Sequence, residues 1–351
     1  MVNIYLPFED WPNEDHAAWT SAIREGDVLD GRGPAAHWRG TTRRTNIHHY
    51  GRWLSFLIRQ GSDIHATTPA ERVTEENVRA YVGDLRSRVA PRTVVSSLVG
   101  LKVMMKALAP DLDWHWLAVV CNRLNVQSAP SKDKRARMRS TTEICQHALN
   151  ELERLRQTTL DRRIERVAFR DALMIALMAC RPLRLGNFTS LDIGRRFHQE
   201  AGHWMIDIPG NETKNGDPLT FDVPATLVPC LDIYLGRIRP AFLAKANAAT
   251  NALWLGFQGR PLAFHTIHCR IVDVTRKWFG LPINPHLFRD CAATTMSSCS
   301  VEDALASAAL LGHRNFSTTE KHYIRANQLE ASRLVASQVS RITRELREQD
   351  R

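Results

Sequence analysis

The sequence predicts a two-domain protein that is mainly α-helical and contains one small β-hairpin or sheet. Three observations predict this fold class. Apolar residues recur at steps of three and four through most of the 351 residues. A basic run separates two such helical regions, and one pair of segments alternates with a period of two around a turn-rich stretch. A chain of this length is sufficient for two domains, each with its own core.

Composition indicates a globular protein. Hydrophobic residues make up 44% and charged residues 24% of the chain, which is typical of folded and not of disordered proteins. The net charge of +10 and the pI near 9.6 fit a polyanionic partner, although many basic proteins bind nothing acidic. Seven scattered cysteines without a Cys-x-x-Cys pair argue against a disulfide framework and a zinc ribbon. Residues 1–15 lack a signal pattern and the longest apolar run is short, so we expect a cytoplasmic protein without a membrane segment.

The first part of the chain predicts a small all-helical domain. Residues 1–40, punctuated by tryptophan, proline and glycine, are interpreted as a loosely ordered lead-in. Four amphipathic helices are predicted within residues 41–130, of which the second follows an N-capping Thr74 and the third follows Pro91. The pattern alone favours a structural or protein-binding module.

A basic run is predicted to be the linker between the domains. Residues 131–140 contain five basic residues and one acid, a composition that is usually a solvated connection. The second domain is assigned to residues 141–330, and it opens with a helix from Thr141. The final segment, residues 331–351, has the spacing of an amphipathic helix.

The predicted hairpin lies in the second domain. Residues 204–208 and 219–223 alternate between apolar and polar, and the stretch between them is rich in turn formers. This pattern places Lys214 near the tip of the hairpin. On its own, a lysine in a polar turn is most often a solvated surface residue.

The last third of the chain contains an ordered set of polar residues. His286 and Arg289 lie one turn apart on a helix predicted to begin at Pro285. His313 follows a Leu-Gly pair at the end of the next predicted helix, and Tyr323 lies in a helix opened by a capping box. Each of these residues is common at solvated, core or capping positions, so it is their order along the chain that indicates a catalytic site.

With Arg184 and Lys214 upstream, this order resembles the tyrosine recombinase (phage integrase) family of DNA strand-exchange enzymes. The resemblance covers about residues 41–330. It implies a two-domain, C-shaped DNA clamp. A helical, SAM-like core-binding domain and a mixed α/β catalytic domain would form the clamp, and the basic linker would run along the DNA between them.

The resemblance implies cutting and rejoining of DNA through a covalent 3′-phosphotyrosine, without metal, ATP or another cofactor. Two arginines would hold the phosphate, a lysine would protonate the leaving 5′ oxygen, and a histidine would accept the tyrosine proton. The catalytic residues that it implies are Arg184, Lys214, His286, Arg289, His313 and Tyr323.

The partner implied is double-stranded DNA in the nucleoid, bound by a homo-oligomer, with a tetramer on two duplexes as the expected assembly. The segment 331–351 would either pack on its own domain or, as the resemblance implies, dock on a neighbouring protomer, and a need for an accessory protein stays open. We predict phosphate contacts at the polar start of the third helix and in the linker. These candidates are Arg92, Thr93, Ser96, Ser97, Lys132, Lys134, Arg135 and Arg137.

Three residues depart from the family pattern. Asn187 stands where an acid is usual, Pro182 where a glycine is common, and Asp290 where a histidine is usual. Asn187 supplies no charge beside Arg184, and Asp290 would either orient Arg289 or weaken its hold on phosphate. Two alternatives therefore stay open: a topoisomerase-like or resolvase-like relative, and a DNA-binding protein on this scaffold with impaired catalysis.

Overall fold

The computed structural model describes residues 4–128, 134–214 and 216–297, and the chain divides into two compact units, residues 1–133 and 134–351. The described residues are mainly helical and include a three-stranded antiparallel sheet in the second unit, which confirms the predicted fold class. None of the described helices has the length and apolarity that a bilayer span requires. Lys132, His313, Tyr323 and the helices predicted for residues 300–351 lie outside the described residues.

Five α-helices form the described part of the first unit. They are α1 (Asn13–Ala22), α2 (Gly40–Arg59), α3 (Glu75–Arg88), α4 (Pro91–Leu108) and α5 (His115–Gln127). Helix α3 begins as predicted, because the Thr74 hydroxyl accepts a hydrogen bond from the backbone N–H of Asn77 at 3.2 Å. Helices α2 and α4 pack closely at Gly100, where an added Cβ would lie 2.4 Å from the ring of His49. A side chain at this position would therefore push the two helices apart.

Part of residues 4–40, including α1, packs into the core of this unit, in contrast to the loosely ordered lead-in predicted for residues 1–40. Trp11 and Trp19 are buried in the same apolar cluster as α2 and α4. Asp15 is fully buried and accepts hydrogen bonds from Arg72 at 3.2 and 2.5 Å and from the Tyr50 hydroxyl at 2.7 Å. Removing one partner of such a buried ion pair costs about 3–5 kcal/mol. This contact therefore fixes α1 against α2 and the segment before α3.

The second unit is built around a buried helix. Its helices are α6 (Thr141–Arg156), α7 (Arg163–Cys180), α8 (Leu185–Thr189), α9 (Val228–Ile233), α10 (Arg239–Leu243), α11 (Phe264–Phe279) and α12 (Pro285–Ser297), with a π-helical turn (Tyr234–Ile238) between α9 and α10. Residues 169–179 of α7 are all buried, which is typical of a helix at the centre of a domain. The apolar stripe of α6 packs along α7.

The sheet has the strand order β1 (Phe197–Glu200), β2 (His203–Ile208), β3 (Leu219–Asp222). Strands β2 and β3 confirm the predicted hairpin, and Ile208 pairs with Leu219 at its closed end. Strand β1 was not predicted. It joins β2 through Ala201 and Gly202, whose φ angles of 47° and 83° are those of a tight hairpin turn. One face of the sheet packs on the core through Phe197, Ile206 and Ile208.

Candidate active site

Arg184 lies directly before α8, at the end of the short connection that follows α7. This connection is fixed to strand β3, because Arg181 donates from Nη2 to Asp222 Oδ1 at 2.7 Å and from Nε to the Asp222 carbonyl at 2.9 Å. Arg184 is half-buried, and burial lowers the pKa of its guanidinium group. The fold therefore holds a partly dehydrated cation at this position.

Arg289 lies on α12 and is brought close to Arg184. It is only 7% exposed, and its Nη1 donates to the Pro182 carbonyl at 2.6 Å. Burial lowers the pKa of its guanidinium group to about 10, the charge on Arg184 adds to this lowering, and Asp290 acts in the opposite direction. The two guanidinium groups are close enough for each to affect the other's charge, and planar guanidinium groups can donate hydrogen bonds to one anion together. The pair therefore suits a phosphate group.

Helix α12 begins where the sequence predicts. Pro285 is its first residue, and the Asn284 side chain accepts a hydrogen bond from the backbone N–H of Leu287 at 3.0 Å. Leu287 is buried and anchors the first turn in the core, whereas His286 beside it is exposed. The helix therefore carries an exposed imidazole in the turn before the buried Arg289.

Lys214 is exposed in the β2–β3 connection, and the base of this connection is firmly held. Glu212 accepts a hydrogen bond from Arg196 Nε at 2.5 Å, which holds the pKa of its carboxyl below the usual value. The buried Thr213 hydroxyl lies 2.8 Å from the Asp217 carbonyl across the turn. These contacts fix the residues before Lys214 while its own side chain stays in solvent.

Two of the three departures from the family pattern, Asn187 and Asp290, have different surroundings. The Nδ2 atom of Asn187 is buried and has no hydrogen-bond partner among the described residues. Asp290 Oδ2 lies 3.3 Å from Nζ of Lys134, within the basic linker. Asp290 therefore favours the charged form of Arg289 and also pairs with a linker lysine, a contact that was not considered from the sequence.

The residues predicted to contact phosphate on α4 divide by burial. Arg92 and Ser96 are exposed, and Arg92 Nη1 donates to Asn125 Oδ1 at 2.6 Å on α5. Thr93 is half-buried. Ser97 is fully buried on the core-facing side of α4, so its predicted phosphate contact was wrong. The sequence prediction placed the Ser97 hydroxyl on the exposed face of α4, whereas it lies on the face that packs on the core.

In the linker, the described basic residues stay accessible. Lys134 and Arg135 are exposed, and Arg137 is half-buried at the end of a short 3₁₀ turn. Nothing in these positions conflicts with a polyanion along the linker.

A buried ion network between α7 and α11 was not predicted. Asp171 of α7 is 1% exposed and accepts from Arg170 Nε at 3.0 Å and from Arg270 Nε of α11 at 2.7 Å. Arg170 also donates to the Leu255 carbonyl at 2.8 Å. The signal in the sequence was the charged pair Arg170-Asp171 inside an otherwise apolar stretch. Charged side chains are buried only when each has an opposite charge or a hydrogen-bond partner.

The described residues contain one group that could hold a metal ion. His198, Glu200 and Asp207 lie on the solvent side of β1 and β2, with one potential ligand atom from each within 4.8 Å of the others. His198 Nε2 lies 3.3 Å from Asp207 Oδ2, and a protonated imidazole makes this an ion pair without a metal.

The sequence profile of the phage integrase family matches residues 148–330, slightly more than half of the chain. The chain belongs to the phage integrase family. The matched range contains all six residues predicted to be catalytic. The chain is similar to tyrosine recombinase XerC of Azotobacter vinelandii, with 27% identity over 154 residues. That match covers 44% of this chain and 48% of XerC, so it spans about half the length of the relative.

Two solved structures resemble this integrase family member in fold. XerH site-specific recombinase, bound to a palindromic difH substrate in a post-cleavage complex, matches with a TM-score of 0.56 and 15% identity over 83% of this chain and 80% of XerH. The Tn1549 transposon integrase, in complex with transposon right end DNA, matches with a TM-score of 0.54 and 14% identity over 86% of this chain and 96% of the other. At these identities the likeness establishes the fold alone, which is that of the tyrosine recombinases.

Proposed function

We propose that this protein is a site-specific DNA recombinase or integrase that cuts and rejoins DNA through a covalent 3′-phosphotyrosine at Tyr323. The observation that carries the proposal is the close approach of Arg184 and Arg289 in a partly dehydrated site. Two guanidinium groups so close together can both donate hydrogen bonds to the non-bridging oxygens of one phosphodiester. Membership of the phage integrase family supports the same reaction class.

The proposed cleavage uses the six predicted residues in complementary roles. Arg184 and Arg289 hold the non-bridging oxygens through the pentacoordinate transition state. Tyr323 attacks phosphorus while His286 accepts its phenolic proton. The 5′ oxygen leaves with a proton from Lys214, and His313 donates a hydrogen bond to the phosphate. The phosphotyrosine bond retains the energy of the broken linkage, so a 5′-hydroxyl can displace Tyr323 without ATP.

The surroundings of Lys214 and His286 support these roles. Both side chains are exposed, so both are accessible to a bound duplex. The backbone that carries each one is fixed, by Glu212 and Thr213 in one case and by the Asn284 cap in the other. A positioned proton donor and acceptor need an anchored backbone and a free side chain.

The proposed partner is double-stranded DNA, held by a tetramer on two duplexes. The net charge of +10 favours binding to a polyanion. The proposed phosphate contacts keep the accessible members of the predicted set and omit the buried Ser97. They are Arg92, Thr93, Ser96, Lys132, Lys134, Arg135 and Arg137.

The test is DNA cleavage in EDTA with nicked or supercoiled DNA from the protein's own genomic neighbourhood. Wild type should leave a protein–DNA adduct that resists denaturation, and Tyr323→Phe should leave none. Arg289→Gln should lower the adduct yield by about 10²–10³-fold, the usual effect of losing one donor to the transition-state charge. Arg276→Gln, which changes an exposed arginine paired with Asp273, is the matched control and should cleave like wild type.

Two other outcomes point to the alternatives. Relaxed circles without exchanged strands would favour a topoisomerase-like activity. Tight DNA binding without any adduct would contradict the proposal and favour a DNA-binding protein with impaired catalysis. In that case Asn187→Asp, which returns an acid one turn after Arg184, is the first variant to examine.

A further inference from the structure

Two thiols lie side by side where α6 packs against the end of α7. The Sγ atoms of Cys145 and Cys180 are 3.0 Å apart, and both residues are free, half-buried cysteines. A disulfide has an S–S distance of about 2.05 Å, so bond formation requires the two sulfurs to approach by only about 1 Å. Among the described cysteines, this is the pair whose sulfurs are in contact.

The surroundings assign different roles to the two sulfurs. A hydrogen bond from the Cys145 thiol lowers the pKa of Cys180, burial opposes this, and the nearby Arg181 cation adds to the lowering. The same hydrogen bond and burial raise the pKa of Cys145. Because the thiolate is the nucleophilic form of cysteine, Cys180 is the sulfur that attacks first and Cys145 the one that resolves.

Cys180 is also directly linked to the arginine pair. It is the last residue of α7, and its carbonyl accepts a hydrogen bond from Arg181 Nη1 at 3.0 Å. Pro182, two residues further on, holds Arg289 through its carbonyl at 2.6 Å. Arg184 follows at the start of α8. A movement of the Cys180 sulfur therefore acts on the backbone that positions both guanidinium groups.

We propose that Cys145 and Cys180 form an oxidation site, in which a peroxide converts the dithiol to a disulfide and the disulfide weakens the phosphate site at Arg184 and Arg289. Formation of the bond is independent of the proposed function, whereas its effect on DNA cleavage rests on that function. The displacement required is small, but catalytic groups tolerate little displacement.

The proposed oxidation balances with hydrogen peroxide as the oxidant. The Cys180 thiolate attacks one peroxide oxygen, the O–O bond breaks, and Cys180 sulfenic acid and hydroxide form. The Cys145 sulfur then displaces the sulfenic hydroxyl, the S–S bond forms, and the Cys145 proton leaves with that hydroxyl as water. The hydroxide takes up the proton that Cys180 had released on ionising. Two thiols have lost two electrons, and one peroxide has become two waters.

Peptide mapping of the full chain tests bond formation. The protein is treated with hydrogen peroxide, quenched with catalase, alkylated under denaturing conditions and digested with trypsin without reduction. The expected product is a cross-link between residues 140–154 and 171–184, each of which contains one cysteine. Dithiothreitol should abolish this cross-link, and so should Cys145→Ser. Cys269→Ser, at another half-buried thiol, is the matched control and should leave the cross-link unchanged.

DNA cleavage tests the consequence of the bond. Oxidised wild type should give about 10-fold to 100-fold less covalent adduct than reduced protein, with recovery after dithiothreitol. Cys145→Ser should keep its activity after the same treatment, because Cys180 has no resolving partner. Recovery of both cysteines as separate alkylated peptides would overturn the oxidation site. A complete cross-link with unchanged cleavage would overturn the regulatory step. Absence of cleavage by reduced protein would count against the proposed function, while the peptide map stays interpretable.

Discussion

Replacing Arg289 by methionine should make the empty protein more stable while it removes the phosphate site. Methionine keeps the unbranched stem of the side chain but carries no charge. If the arginine pair is built for an anion, the charge on Arg289 is a cost to the fold until the anion binds.

The magnitude follows from the surroundings of Arg289. An arginine whose pKa is lowered to about 10 carries its charge at a cost of about 3 kcal/mol at neutral pH. The sign is set by proton linkage: the unfolded chain binds this proton more tightly, so the charged group destabilises the fold at pH values below about 10. The variant loses the hydrogen bond to the Pro182 carbonyl, which costs about 1–2 kcal/mol. The free energy of unfolding should therefore rise by about 1–2 kcal/mol.

The assay is urea unfolding at pH 7, followed by circular dichroism, with and without inorganic phosphate. Phosphate at ten times its Kd should stabilise wild type by about 1.4 kcal/mol and Arg289→Met much less. Arg276→Met, at an exposed arginine, should respond to phosphate like wild type. Two results together would refute the reasoning: a clear loss of stability in Arg289→Met without phosphate, and an equal response of both proteins to the anion.

Three further predictions concern the scaffold and the linker. Asp171→Asn should lower the free energy of unfolding by about 3–5 kcal/mol, because Arg170 and Arg270 lose their buried counter-charge. Asp273→Asn, at an exposed ion pair, should lower it by under about 1 kcal/mol, and equal losses in urea unfolding would contradict this prediction. Ala201→Asn should raise the free energy of unfolding by about 0.5–1 kcal/mol in the same assay, because asparagine tolerates the φ of 47° better than alanine does. A lower free energy of unfolding would count against the turn geometry. Replacing both Lys134 and Arg135 by alanine should reduce the slope of log K against log salt by about 1.8, and an unchanged slope in DNA-binding titrations would remove both from the phosphate contacts.

Features that depend on local sequence were predictable in this chain. The Thr74 cap, the Pro285 start of α12 and the β2–β3 hairpin each follow from the chemistry of a few adjacent residues, and the structure has all three. The candidate catalytic residues could also be predicted from the sequence, because the family pattern depends only on residue types and their order along the chain.

Features that depend on distant partners were not predictable. Residues 1–40 resemble a loose segment until Asp15 is placed against Arg72, 57 positions away. Strand β1 is short and polar, and it is recognisable only by its pairing with β2. The proximity of Arg184 to Arg289 also depends on tertiary structure, and it was expected only through the family resemblance. The Cys145–Cys180 contact joins two helices whose sequences contain no sign of it.

The most direct test of the central claim is to locate the DNA on the protein. The covalent product is treated with nuclease and trypsin, and the peptide of residues 322–325, which contains Tyr323, is examined by mass spectrometry. We predict a nucleotide remnant joined through its 3′ phosphate to the Tyr323 oxygen, and the same peptide unmodified when Arg289→Gln protein is used. A remnant on any other residue, or a 5′-linked remnant, would contradict the proposed mechanism.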